Sequence, residues 1–319
     1  MKYFLGIDGG GTSTEYTLID ELGNILATAI GGTTHIMQIS RFEFAERLTQ
    51  GVKKCTDTAG IKTHEITYTF AGIPGYGEFE EHMTFVSTCI HDILGSKNFT
   101  IGNDCVAGWA SGHAGAPGIN LVSGTGSIGY GRDSQGREFR SGGWGDFCGD
   151  EGSAYWLGKK LTELFAKQSD GRIKKGPLYD IVREELYLET DFQIIGFVTD
   201  ILGKDRTKIA DLSKLLYIAA ASGDESAISA YADAAYELCL VIKAVANGLE
   251  FDSIIPVTVS GGVFNAGDFI MVPLLKCLGD SFEYKTSVTD PAKGAALLAY
   301  VIDGGEINDE FLKNLNRVI

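Results

Sequence analysis

Short apolar segments that alternate with glycine or polar residues open the chain. Residues 4–7 run into the glycine loop 8–12 (DGGGT), residues 16–19 end at the turn 20–24, and residues 25–28 follow that turn. Period-two alternation bounded by Gly, Asp and Asn clusters is typical of β-strands. We therefore predict three antiparallel strands, joined by one glycine loop and one tight turn.

The same order of strand, glycine loop, strand, turn and strand recurs in the middle of the chain. Residues 119–122 precede the loop 124–127 (GTGS), residues 128–131 follow it, and the turn 133–136 comes next. Successive backbone N–H groups in tight glycine turns form concavities that bind anions. The repeat therefore suggests that the two loops clasp one polyphosphate ligand.

Helical spacing dominates much of the remaining chain. Phe44, Leu48 and Val52 recur at i, i+4 and i+8, which predicts a helix over residues 42–58. Residues 170–250 read as almost wholly helical. Their longest apolar stripe, which we interpret as core packing, consists of Ile228, Tyr231, Ala235, Leu238, Ile242, Val245 and Leu249, with a C-cap signal at Asn247 and Gly248. Further strands are predicted at 66–70, 99–101 and 254–260, and further helices at 106–111, 153–167, 291–300 and 308–318.

Length and composition indicate a globular chain of about two domains, and the strands and helices predicted above make it an α/β chain. It has 319 residues, of which 44% are hydrophobic and 22% charged. We place the boundary in the turn 112–118, which gives a first domain at 1–117 and a second at 118–319. The second carries a helical insertion near 155–250, and the final helix can pack back on the first domain.

The formal net charge of −15 argues against a nucleic-acid or membrane partner, since no Lys/Arg block forms a basic patch. An anionic ligand must be held locally by backbone amides, a metal ion and a few side chains. The short apolar run before Asp8 is too brief for a signal peptide, so we expect a cytoplasmic protein. The six cysteines are scattered, and we interpret them as free, mostly buried thiols.

Residues 124–129 (GTGSIG) match the dinucleotide-binding pattern G-x-G-x-x-G, which requires a helix directly after the last glycine. Residues 130–134 read instead as a strand that enters a turn, so the Rossmann interpretation is disfavoured. The Walker A pattern is absent from the sequence. A bound nucleotide must therefore be held by a different fold.

Three acidic positions allow a functional and a structural interpretation. Asp8 ends a strand beside a glycine loop, where it could hold Mg²⁺ through water or cap a turn. Asp104 stands between a strand and a helix, where it could be an N-cap or a general base. Asp150, in the block 149–152 (GDEG), could satisfy the start of a helix or contact a polar ligand.

One late junction of strand, glycines and helix, at residues 260–265 (SGGVFN), has room for a nucleotide base and ribose, or is a close packing point. Together with the blocks 8–12, 103–104, 123–127 and 143–156, it resembles the N-acetylglucosamine kinase family. That family is a branch of the group that includes the BadF/BadG/BcrA/BcrD-type ATPases, within the actin and hexokinase superfamily. The resemblance spans nearly the whole chain, and GDEGSAYW is its most specific part.

The resemblance implies two ribonuclease-H-like domains that close around ATP and a sugar in the cleft between them. Asp8 would serve Mg²⁺, and Asp104 would be the catalytic base that takes the proton of the sugar 6-hydroxyl. The other implied contacts are with phosphates at Gly10, Gly11, Thr12, Gly124, Thr125 and Gly126, with the amino sugar at Thr34, Asn103, Asp104, Ser127, Gly143, Trp144, Gly145 and Asp150, and with adenosine at Ala220, Gly261, Gly262 and Asn265.

The chain departs from the family where the sugar would be contacted. Ile128 stands where the family's amino-sugar kinases often carry Asn, and Thr34 and Ile36 stand where they often carry Asn and Trp. We hypothesise that the smaller Thr34 and Ile36 leave space for N-acetylmuramic acid. We expect a homodimeric kinase of small-molecule amino sugars. Two alternatives are a BadF-type ATPase activator of a dehydratase and a sugar or nucleotide sensor without turnover.

Overall fold

The computed structural model describes residues 1–317 and contains two sheets of five strands each. The strands in chain order are β1 (Tyr3–Gly9), β2 (Ser13–Asp20), β3 (Ile25–Gly32), β4 (Tyr68–Gly72), β5 (Phe99–Gly102), β6 (Gly118–Ser123), β7 (Ser127–Arg132), β8 (Glu138–Gly142), β9 (Ile255–Ser260) and β10 (Phe282–Tyr284). Both triplets of strands around the glycine loops are confirmed.

The α-helices in chain order are α1 (Arg41–Ala59), α2 (Glu80–Leu94), α3 (Asp104–His113), α4 (Gly145–Cys148), α5 (Ala154–Ser169), α6 (Pro177–Glu185), α7 (Gln193–Gly196), α8 (Arg206–Asp211), α9 (Ser213–Ala221), α10 (Glu225–Asn247), α11 (Asp268–Leu278), α12 (Pro291–Ile302) and α13 (Asp309–Leu315). The last helix begins after Asn308, as predicted, and ends at Leu315. Val318, its predicted end, lies outside the described residues. No helix within residues 1–317 is long and apolar enough to cross a membrane.

The two sheets share one strand order. The first runs β3-β2-β1-β4-β5, and the second, taken from its other edge, runs β8-β7-β6-β9-β10. In the first sheet β1 and β2 pair antiparallel, whereas β1 with β4 and β4 with β5 pair parallel. The repeat predicted from the glycine loops is therefore confirmed, and so is the fold class of two ribonuclease-H-like halves.

Backbone contacts group the chain into two compact units. The first contains Met1–Asn120, Arg132–Gly136 and the segment from Lys285, and the second contains Leu121–Gly131 and Arg137–Tyr284. The returning segment carries α12, which packs on β1 in the first unit. A division of the chain at residue 118 stays a prediction.

The helix α1 shows how the first unit builds its core. Ser40 caps its N-terminus in a reciprocal capping box with Glu43, and Gly60 ends it in the left-handed conformation at φ 68°. The predicted stripe Phe44, Leu48 and Val52 is buried in the core cluster that also includes residues of β1, β2 and α2. Helical period and burial agree at this face.

The helix α10 plays the corresponding part in the second unit. Its predicted stripe is buried from Tyr231 to Val245, and Leu249 beyond its end is buried too. Ile228 is 40% exposed, and its neighbour Ala227 is buried instead. Gly248 follows its last residue, as predicted.

The cysteine prediction is wrong for one pair. Cys239 on α10 and Cys277 on α11 form a disulfide, with their Cα atoms 6.3 Å apart. These helices pack against each other, which brings together two residues 38 positions apart. Of the other four, Cys55 and Cys105 are buried, Cys89 is partly buried and Cys148 is exposed.

Candidate active site

Three neighbouring parallel strands of the first unit end at the same edge of the sheet. The pairing register sets Asp8 of β1 beside Gly72 of β4, and Gly72 beside Gly102 of β5. Asp104 follows two residues later, and a Cβ on Gly72 would lie 3.3 Å from its Cα. Ligands of open α/β sheets bind at the carboxyl ends of strands. Asp8 and Asp104 therefore lie close together at the expected binding edge.

The Asp8 carboxylate stands in an unfavourable environment for its charge. Removal from water raises the pKa of Asp8 well above its usual range. The nearby carboxylates of Asp104, Glu15 and Asp290 act in the same direction. Within residues 1–317 no N–H or O–H group donates a hydrogen bond to Asp8. The interpretation of Asp8 as a turn-capping residue is therefore wrong.

The helix cap beside Asp104 is provided by its neighbour. Asn103 is the N-cap of α3, and its side-chain oxygen accepts a hydrogen bond from the Cys105 amide at 3.3 Å. The Asn103 amide group donates to the Tyr76 carbonyl at 3.4 Å. The N-cap interpretation of Asp104 is therefore wrong, since Asp104 is the first helical residue. Its carboxylate is half-buried and accepts from the Cys105 amide at 3.1 Å.

The first glycine loop, residues 9–12, is a tight turn held by side chains. The Gly10 amide donates to the Ser13 carbonyl at 2.7 Å, and the Thr33 hydroxyl donates to the Gly10 carbonyl at 2.7 Å. Arg47 on α1 in turn donates to the Thr33 carbonyl at 2.8 Å. Gly11 and Thr12 are exposed, so the predicted phosphate contacts at the tip of this loop are open to a ligand.

Thr34, a predicted sugar contact, is fully buried. Its hydroxyl lies 3.0 Å from that of Thr14, which is also buried. Ile36 packs partly buried against the core of the first unit. Thr34 packs against the first glycine loop, since a Cβ on Gly9 would lie 2.7 Å from its hydroxyl oxygen. The effect of Thr34 and Ile36 on sugar choice stays a prediction.

The second glycine loop, residues 124–127, is held by backbone groups at the start of α5. The Ala154 amide donates to the Gly124 carbonyl at 2.8 Å, and the Tyr155 amide donates to the Thr125 carbonyl at 3.3 Å. The Ser127 hydroxyl donates to the Glu151 carbonyl at 2.7 Å. The block GDEGSAYW is therefore the support of this loop.

Asp150 is the charged centre of that support. It is 2% exposed, adopts φ 60°, and its Oδ1 atom accepts from the Ser127 amide at 3.2 Å. Its Oδ2 atom pairs with Nη2 of Arg206 on α8. Burial raises the pKa of Asp150, although the Arg206 guanidinium and the Ser127 amide oppose this rise. The interpretation of Asp150 as a residue that satisfies the start of a helix is thus incomplete, because Asp150 also connects the glycine loop to α8.

The predicted sugar contacts 143–145 lie next to the second glycine loop. The Gly143 amide donates to the Ser127 carbonyl at 2.9 Å. A Cβ on Gly143 would lie 2.8 Å from Cδ1 of Ile128, so the residue that departs from the family fills the space there. Trp144 is 74% exposed and precedes α4, whose first residue is Gly145.

The predicted adenosine contacts are only partly brought together. Gly261 follows β9, and a Cβ on it would lie 2.9 Å from the Gly124 amide nitrogen, so it adjoins the second glycine loop. Gly262 and Asn265 are exposed in the short 3-10 turn that follows. Ala220 is buried on α9. Their roles stay predictions.

Four charged residues around these loops escaped sequence reasoning. Arg206 is 56 positions from Asp150, and no local pattern links them. Glu15 lies opposite Asp8 in the β1–β2 register, and Asp290 caps α12. Of these residues, only Asp290 stands in a local sequence pattern, because it directly precedes Pro291 at the start of α12. Arg47, the fourth, lies on the polar side of an amphipathic helix.

The Rossmann interpretation of residues 124–129 is excluded by the strand that follows them. β7 continues to Arg132 and is followed by a turn and by β8. No helix begins after Gly129, although the dinucleotide pattern requires one.

Three comparisons place this geometry among known proteins. The chain is 29% identical over 307 residues to the N-acetylmuramic acid/N-acetylglucosamine kinase of Clostridium acetobutylicum, covering 94% of this chain and 98% of that one. It is 28% identical to the N-acetyl-D-glucosamine kinase of Dictyostelium discoideum, covering 93% and 98%. A crystal structure from Chromobacterium violaceum, described as a candidate N-acetylglucosamine kinase, superposes with a TM-score of 0.75 at 26% identity and covers 94% and 99%. Residues 5–299 match the model of one family, and the chain belongs to the BadF/BadG/BcrA/BcrD ATPase family.

Proposed function

We propose that the protein is a kinase that transfers the γ-phosphate of ATP to the 6-hydroxyl of an N-acetylated amino sugar. The family implies the use of ATP, and relatives named as N-acetylglucosamine and N-acetylmuramic acid kinases match over nearly their whole length. The observation that carries the proposal is the pair of carboxylates Asp8 and Asp104 at one sheet edge, beside a glycine loop with an open tip.

Asp104 is the proposed general base. It would accept the proton of the sugar 6-hydroxyl while that oxygen forms a bond to the γ-phosphorus and the bond to the ADP oxygen breaks. A positioned base of this kind contributes roughly 10² to 10⁴ in rate. The remaining catalytic work is positioning and charge neutralisation, for which the backbone amides of a glycine loop are suited.

Asp8 is the proposed Mg²⁺ residue. No group of three or more His, Cys, Asp or Glu side chains in residues 1–317 could hold a metal ion. Mg²⁺ commonly keeps several waters and uses only one or two carboxylates together with substrate phosphates. The Asp8 carboxylate fits that need, because it has no hydrogen-bond donor in the described chain and is surrounded by acids. When bound, Mg²⁺ neutralises charge on the phosphates.

The test is ADP release, coupled to NADH oxidation, with N-acetylglucosamine, N-acetylmuramic acid, glucosamine and glucose as acceptors. We expect turnover with an N-acetylated sugar and none with its 6-deoxy analogue. Asp104→Asn should lower kcat by roughly 10² to 10⁴ while leaving ATP binding nearly unchanged. Asp92→Asn, at an exposed carboxylate of α2, is the matched control. An undiminished rate in Asp104→Asn would refute the assignment of the base, and no sugar-dependent ADP release at all would refute the kinase and favour a sensor.

No observation favours the dehydratase activator. Such a protein holds an iron–sulfur cluster on cysteine thiolates. The four cysteines outside the disulfide lie on four different helices, α1 to α4. A homodimer and a cytoplasmic location also stay proposals, and sedimentation of the purified protein would test the first.

A further inference from the structure

Arg206 is held beside the second glycine loop by helix packing. It is the first residue of α8, and α8 packs on α5. At the crossing point Gly158 of α5 has no side chain, and a Cβ there would overlap the Ile209 carbonyl oxygen. Ile209 and Ala210 are buried, so α8 cannot shift away from α5 without exposing apolar surface. The position of Arg206 is therefore fixed by the fold of the second unit.

The guanidinium of Arg206 makes fewer hydrogen bonds than its donors allow. An arginine side chain carries five N–H donors. In the described chain only its Nη2 atom donates a hydrogen bond, and that bond goes to Asp150. The Nε atom is buried and has no partner within residues 1–317. Buried N–H groups in folded proteins nearly always have an acceptor, so this one calls for the oxygen of a water or of a ligand.

The Arg206 guanidinium adjoins the loop that we expect to hold phosphate. A Cβ on Gly126 would overlap Nη2 of Arg206 and would lie 2.8 Å from Oδ1 of Asp150. Only glycine lets the loop come this close to the guanidinium. The Arg206 side chain keeps 33% of its surface exposed, so a ligand at the loop can reach it.

We propose that Arg206 binds an anionic group of the ligand at the second glycine loop, while Asp150 holds the guanidinium in place. The planar fork of arginine matches two oxygens of a phosphate or of a carboxylate. The group has two possible sources, the phosphates of the nucleotide and the carboxylate that N-acetylmuramic acid carries and N-acetylglucosamine lacks. This inference rests on the proposed kinase function and names a specificity or positioning residue for it.

The experiment compares Arg206→Lys and Arg206→Gln with Lys208→Ala, an exposed cation on the same helix. Arg206→Lys keeps a positive charge for Asp150 and loses the fork. If the nucleotide is the source, the Kd of a non-hydrolysable ATP analogue should rise about tenfold in both Arg206 variants, with either sugar. If the sugar is the source, kcat/KM for N-acetylmuramic acid should fall about tenfold while that for N-acetylglucosamine stays within about twofold. Lys208→Ala should change neither quantity.

A second measurement needs no variant. In the wild-type protein, phenylglyoxal modification of Arg206 should be slowed by the ATP analogue or by N-acetylmuramic acid, whereas exposed Arg172 should react at an unchanged rate. The proposal is overturned if neither ligand protects Arg206, or if the folded variants bind both ligands with unchanged affinity. The nucleotide-binding and protection measurements do not depend on turnover, so a failed kinase assay is distinguishable from a failed role of Arg206.

Discussion

The two glycine loops occupy equivalent places in sheets of the same strand order, but the carboxylate beside each loop has different partners. The first loop lies beside Asp8, whose carboxylate has three acidic neighbours and no hydrogen-bond donor in the described chain. The second lies beside Asp150, whose carboxylate is paired with Arg206. The first loop therefore lies beside uncompensated acidic charge, whereas the charge beside the second loop is balanced by a guanidinium.

The means of support differ as well. Side chains from elsewhere in the first unit, Thr33 and Arg47, brace the first loop. Backbone amides of α5 brace the second loop, together with the Asp150 carboxylate. The comparison teaches that duplication can preserve topology while the charged residues around each copy diverge.

Among the changes that test this comparison of the two loops, Asp8→Asn should have the largest effect. With its proposed metal contact removed, kcat should fall by roughly 10² to 10³ at fixed Mg²⁺, and the Mg²⁺ concentration for half-maximal rate should rise. The same change removes an unfavourable charge, so the Tm of the ligand-free protein should rise by about 2 °C. Rate measurements in a Mg²⁺ titration and thermal unfolding check both parts.

The raised pKa of Asp8 also predicts how the stability of the protein depends on pH. Because its folded pKa lies above the unfolded value of about 3.9, the folded state binds the proton more tightly between the two values. The wild-type protein should therefore lose stability as the pH rises through that window, relative to Asp8→Asn. The pKa of Asp150 is raised as well, so the contrast lies in its partner. Asp150→Asn should lower the free energy of unfolding by about 2 kcal/mol, since it leaves the Arg206 guanidinium without its acceptor. Equal signs for the two variants would contradict the contrast between the loops.

Local patterns predicted the parts of this contrast that depend on neighbouring residues. Strand alternation and the glycine loops gave the repeat, and the position of Asp104 after a strand end was visible in the chain. The N-cap interpretation of Asp104 is wrong by one residue, because Asn and Asp are both good N-caps and only the backbone decides between Asn103 and Asp104. The burial of Thr34 depends on packing around Thr14, which periodicity does not encode.

The charges that distinguish the loops come from distant segments. Arg206 reaches Asp150 because α8 packs on α5, and Asp290 reaches Asp8 because α12 returns to β1. The close approach of α12 to β1 needs Gly6, where a Cβ would overlap the backbone of Ala296. One sequence without its fold contains no signal for such pairs, since neither spacing nor composition links them.

A smaller difference is expected in the stability cost of replacing one glycine in each loop by alanine. Gly126→Ala should cost about 1–3 kcal/mol of stability, because its Cβ would displace Arg206 and crowd Asp150. Gly11→Ala in the first loop should stay within about 0.5 kcal/mol, since nothing lies within 4 Å of its Cβ. Denaturant unfolding of both variants is the measurement. A Gly11→Ala variant as unstable as Gly126→Ala would show that the first loop is as tightly packed as the second.

The smallest expected effect tests the side-chain brace of the first loop. Arg47→Ala removes the hydrogen bond to the Thr33 carbonyl, so the free energy of unfolding should fall by about 1 kcal/mol. Because Thr33 holds the Gly10 carbonyl, the looser loop should also raise the KM for ATP about threefold, with kcat nearly unchanged. Lys54→Ala, an exposed cation on the same helix, is the control and should alter neither. If Arg47→Ala lowers stability but leaves the KM for ATP at the wild-type value, the brace supports the fold without positioning the loop, and the two loops would differ in charge alone.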